Sequence, residues 1–125
     1  ATGELKPKYL VFLAPTPGGD WVARLLTSQV NLRTEYPVCS LEHPCPSFYL
    51  GILGGQLPLK TWVDLRGLDD VDLLEVDRLI RLRVMARVAT VPARELAPML
   101  ECAARADDTT RQQERALRNQ LARMR

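Results

Sequence analysis

The stretch Ile80-Arg81-Leu82-Arg83-Val84-Met85-Ala86-Arg87-Val88-Ala89-Thr90-Val91 decides how the chain is read. Ile80, Leu82, Val84, Ala86 and Val88 fall on even positions, and Arg81, Arg83 and Arg87 on odd ones. Alternate side chains of a strand point to opposite faces, so this spacing predicts one apolar face and one cationic face. At 3.6 residues per turn the same apolar residues would scatter around the whole circumference of a helix. A half-buried strand over 80–88 is therefore predicted, with Leu82, Val84 and Val88 buried. Pro92 ends it, because proline gives no amide to a ladder and suits a first helical turn.

Beyond Pro92 the period becomes helical. Leu96, Leu100 and Ala103 lie four and three apart, and the register continues through Asp107, Thr110, Glu114, Leu117, Leu121 and Met124. The polar middle, Asp107-Asp108-Thr109-Thr110, predicts two helices with a break there, one long bent helix being the alternative. Pro98 should kink the first of these or mark its start.

Upstream, Lys8–Ala14 is an apolar run rich in β-formers and predicts a buried strand, broken by Pro15-Thr16-Pro17-Gly18-Gly19. Asp20 can cap a helix with Trp21, Leu25 and Gln29 on one face, fading near Asn31. Residues 36–47 hold Pro37, Pro44 and Pro46 and predict an irregular loop. Phe48–Leu53 and Lys60–Leu65 predict a hairpin that turns between Gly54 and Pro58. Leu68–Asp77 fits neither period, although its acids suit a helical first turn. The expected fold is a single α+β domain over 1–125. It has a mainly antiparallel sheet of about four strands, an N-terminal helix, one or two C-terminal helices and a helical tail over 109–125.

At 125 residues, 46% hydrophobic and 26% charged, the chain is long enough for one stable core and ordinary for a soluble domain. No apolar run approaches the ~20 residues that span a bilayer. The first eight residues lack the apolar segment of a secretory signal, which predicts a cytoplasmic protein. The net charge of +2 hides a split: residues 1–77 carry −4 and residues 78–125 carry +6. Such a split suits an acidic protein, a polyanion or a second copy of the same chain.

Three patterns carry chemistry. Pro15-Thr16-Pro17-Gly18-Gly19-Asp20-Trp21, between a predicted strand and a predicted helix, resembles the phosphosulfate-binding loop of sulfotransferases. That loop reads Pro-Lys-Ser-Gly-Thr-Thr-Trp, and the resemblance implies a nucleotide phosphate held at the helix N-terminus. Pro15, Gly18 and Trp21 match. Thr16 replaces the lysine, Pro17 removes a donor, and Asp20 sets a negative charge where the anion would lie. The residues themselves read as a Pro/Gly turn with an Asp cap.

Cys39, His43, Cys45 and Cys102 could form a Cys3His zinc set, although the spacing within Cys39–Cys45 is unusual for one. The plainer expectation is cysteines packed as small apolar groups with no metal, or a Cys39–Cys45 disulfide in an oxidising compartment. An odd cysteine count does not read as a secreted disulfide framework.

The third pattern is Arg111, Arg115, Arg118 and Arg125, one position removed from the Leu117, Leu121, Met124 stripe. This helix suits a partner's groove, an acidic surface or a phosphate backbone. No aromatic residue follows Trp62, so a base-stacking platform is not expected in this half. The chain offers no serine nucleophile motif and only one histidine, so neither catalysis nor a cofactor is expected. The sequence predicts a non-catalytic protein–protein interaction module. An adaptor or chaperone-like homodimer docking through the arginine-rich tail fits that reading. The helix–sheet mix and the run into Val91-Pro92 and Leu96 resemble small secretion-chaperone-like domains. A nucleic-acid-binding or regulatory protein is the alternative partner class, and a degenerate nucleotide-binding strand–loop–helix the next.

Overall fold

The computed structural model describes residues 7–124. The chain opens on a hairpin of β1 (Tyr9–Pro15) and β2 (Asp20–Thr27). Pro17 sits second in the turn, which closes when the Gly19 N–H donates to the Thr16 carbonyl; Gly19 takes φ 92°, a conformation that favours glycine. The helix predicted from Asp20 is thus a strand. Val22, Ala23 and Arg24 are all buried, so β2 is covered on both faces and shows no alternation. Periodicity cannot separate such a run from a buried helix. With the helix gone, Pro15–Trp21 is a hairpin turn and not the strand–loop–helix that the sulfotransferase resemblance requires.

Four further strands follow: β3 (Cys39–Ser40), β4 (Ser47–Gly51), β5 (Thr61–Asp64) and β6 (Val71–Asp72). The antiparallel sheet runs β1-β2-β5-β4-β3, and β6 pairs with the start of β2. As expected, β4 and β5 are hairpin partners, and Gly54 and Leu57 exchange two backbone hydrogen bonds in their connection. Cross-strand neighbours share a face. Tyr9, Leu26, Val63 and Phe48 line one side, and Leu10, Leu25, Asp64 and Ser47 the other.

Three helices complete an α+β domain: α1 (Leu73–Arg81), α2 (Ala93–Arg105) and α3 (Arg111–Arg123). The predicted break between the last two is present. Thr110 caps α3 in a reciprocal box with Gln113, satisfying two orphan amides. Pro98 lies inside α2, whose first residue is Ala93. Both helices pack on the first face of the sheet, where Phe48, Val63, Met99, Leu100 and Leu117 share one core. The 109–125 segment therefore belongs to that core as far as it is described.

The strand predicted over 80–88 does not form. Asp72 accepts from the Leu74 amide and starts α1, which continues through Ile80 to Arg81. The following residues turn at Arg83, φ 60°, and run unpaired to α2. Leu82 is 58% and Val84 73% exposed, not buried. Alternation needs a neighbouring strand to act on, and here helix capping takes the first residues while no strand pairs with the rest.

Cys39 of β3 and Cys102 of α2 form a disulfide, and Cys45 is free. Neither cysteines packed singly nor the alternative Cys39–Cys45 bridge describes this pair, because β3 lies against α2 and brings the Cα atoms of Cys39 and Cys102 to 5.8 Å.

Arg24 ties the layers together. Its guanidinium is fully buried and donates to the carbonyls of Ala23 and Leu68, to Thr109 Oγ1 and, at 3.0 Å, to Gln113 Oε1. Gln113 in turn donates to the Leu68 carbonyl and to Asp70. Desolvation pushes the Arg24 pKa below its ordinary value, opposed by the charges of Asp70, Asp108 and Asp64. A buried cation is tolerable only where hydrogen bonds replace its water; these supply them to the two terminal nitrogens, while Nε has no partner among the described residues.

Candidate functional site

A cleft of about 640 Å³ lies at the β1 end of the sheet, within the volume range of ligand sites. Five consecutive residues, Lys8–Phe12, contribute to it. Side chains of one strand alternate between faces, so a cleft touching all five wraps around the strand's edge. Among the described residues β1 is the terminal strand and pairs only with β2. Phe12 is 36% exposed and meets Trp21 edge-on, with centroids 6.4 Å apart, on one side of this edge. Val11 and Met99 meet it from the core side.

The other wall is α1 and the segment after it. Leu73, Val76 and Ile80 supply the helical part, and Met85–Val91 the extended part that leads to α2. The stretch that alternates like a strand thus passes beside the free edge of β1 without pairing to it. The lining is mainly apolar, with Lys8, Arg87 and Asp77 as its charged members. Arg81, Arg83 and Arg87 make no ion pair among the described residues.

The predicted partner-binding helix behaves otherwise. Leu117 and Leu121, 0% and 6% exposed, belong to the chain's own core and cannot also be a partner surface. The sheet supplies the apolar cover that the sequence reading sought in a second molecule. Met124 is exposed at the helix end. Arg111 and Arg115 face solvent, while Arg118 is held by Glu114 at 3.0 Å and Glu101 at 3.3 Å. Arg125 lies outside the described residues.

The zinc candidates are likewise separated. Cys39 and Cys102 are joined to each other, and His43 pairs with Asp107 at 3.0 Å on the surface. Among the described residues no group of three or more His, Cys, Asp and Glu is arranged for a metal. A second polar cluster surrounds Asp64, which Arg66 contacts at 2.6 Å and Arg33 at 3.7 Å. Burial raises the Asp64 pKa, but the hydrogen bonds and charge of Arg66, with Arg33 behind, outweigh it and hold the group below its ordinary value. The cluster fastens the 28–38 loop and the end of β5 to each other.

Reading the sequence missed Lys8, Phe12, Trp21 and Val76 as site residues. The available signal was the unassigned charge of Arg81, Arg83 and Arg87 beside exposed apolar positions. Among the described residues no helix is long and apolar enough to cross a membrane. No family model, curated protein or solved structure matches this chain.

Proposed function

We propose that this chain is a non-catalytic interaction module that holds a segment of another protein in the cleft beside β1. The observation that carries the reading is the unpaired edge of β1 opening into an apolar cleft. Exposed strand edges are normally blunted or covered, and an extended peptide added to one gains main-chain hydrogen bonds together with side-chain pockets. Phe12 and Trp21 are the aromatic anchors such a site would use. The Cys39–Cys102 bridge favours an oxidising compartment over the cytoplasm, since cytosolic thiols are kept reduced.

Selection from a displayed random peptide library tests the reading. Peptides should be enriched on the wild-type chain and lost on Phe12→Glu, a half-exposed position whose change leaves the core intact. A library that yields no binder, or binders retained by Phe12→Glu, overturns it.

A further inference from the structure

We infer that the cleft takes an extended segment carrying both apolar and acidic residues, which pairs as an added strand along the outer edge of β1. This rests on the reading that the cleft holds a protein segment, and names that segment's chemistry. Two observations lead there.

The first is backbone supply. Among the described residues no backbone hydrogen bond from another element reaches the outer edge of β1. Among the described residues Ala86–Thr90 make no backbone hydrogen bond either, although they line the same cleft. Backbone amides and carbonyls left without partners are the groups that strand addition satisfies. A helix satisfies its own backbone and would leave both sets unused. Met85–Val91 lines the cleft opposite β1, so the edge admits a single extended chain more readily than the edge of a second folded sheet. A linear segment therefore fits this edge better than a second copy of the protein.

Charge is the second. Lys8 and Arg87 line the cleft against one carboxylate, Asp77, and Arg81 and Arg83 stand on the adjoining turn. The three arginines have no ion-pair partner among the described residues, whereas Arg66, Arg78 and Arg118 each hold a carboxylate. An apolar cleft with unpaired cations at its rim complements a strand that alternates apolar and acidic residues. Rim charges of this kind set partner choice and association rate more than they add affinity.

A fluorescein-labelled peptide alternating valine and glutamate, with its valine–lysine counterpart as control, provides the probe. Anisotropy should show binding of the glutamate peptide, weakened about tenfold by Arg83→Glu with Arg87→Glu and by replacing glutamate with lysine. On the unaltered protein the same binding should weaken as salt rises from about 50 to 200 mM. Amide hydrogen exchange should then show new protection within Tyr9–Pro15. Equal binding of both peptides, or binding that leaves the β1 amides unprotected, overturns the acidic-strand inference. If library peptides bind but the glutamate peptide does not, the inference fails while the module reading stands. If neither binds, both fail. Glutamate peptide bound to a dimer through some other face also overturns the inference.

Discussion

Removing the Cys39–Cys102 bridge should cost the fold about as much as any single change to it. The two cysteines are 63 residues apart in sequence, so the bridge closes half of the chain into one loop. The entropy withheld from the unfolded chain by a loop of that length corresponds to about 4 kcal/mol at 25 °C. Native contacts add to the effect, because the bridge anchors two-residue β3, with the loop around it, to the buried face of α2. Cys39→Ala with Cys102→Ala removes the bridge without stranding a thiol, and alanine fits the space left on α2. Guanidinium unfolding, read by tryptophan fluorescence, gives the free energy before and after. A loss of roughly 3–5 kcal/mol is expected, and reduction of the wild-type protein should reproduce most of it. Cys45→Ala serves as the control and should change little. A bridge-free protein within about 1 kcal/mol of wild type would refute the reasoning, since loop closure alone predicts more.

Three further outcomes follow from the packing. Leu117→Ala should destabilise the chain by about 2–5 kcal/mol in denaturant unfolding, because its side chain is in the core; an unchanged stability with altered association in light scattering would return α3 to the role of an interface. Val84→Asp should change stability by no more than about 0.5 kcal/mol, since the residue is exposed and unpaired, and unfolding of that variant would restore the strand over 80–88. Asp64 has a depressed folded pKa, so its contribution is present above the unfolded value and lost as pH falls through the folded one. Unfolding midpoints should therefore fall below about pH 4 by less in Asp64→Asn than in wild type; equal slopes would dismiss the Arg66 and Arg33 pairing as the cause.

The elements legible in the sequence are those whose signal is local. Lys8–Ala14 is a β-rich run ended by proline and glycine, and it is β1 with its boundaries shifted by one residue. The pair of apolar runs on either side of Gly54–Pro58 had the spacing of a hairpin, and the polar Asp107–Thr110 broke two helical stretches of one register. Strand β2 was not legible because both its faces are covered, which erases alternation. The Ile80–Val91 stretch failed in the opposite sense: its alternation is real, but a strand exists only where an edge pairs with it. The cystine depends on β3 meeting α2 across 63 residues, which no spacing rule conveys. The cleft was hidden for the same reason, since Phe12 and Arg87 become neighbours of one cavity only through the fold. The arginines of α3 drew attention as a ladder, yet their apolar companions Leu117 and Leu121 serve the core.

A bound segment should sit along the β1 edge and nowhere on α3. Nuclear magnetic resonance titration of the labelled protein with a library-selected peptide should move amide signals at Lys8–Phe12, Trp21 and Met85–Thr90, and leave Arg111–Arg123 still. Shifts confined to α3, with the β1 edge unmoved, would contradict it.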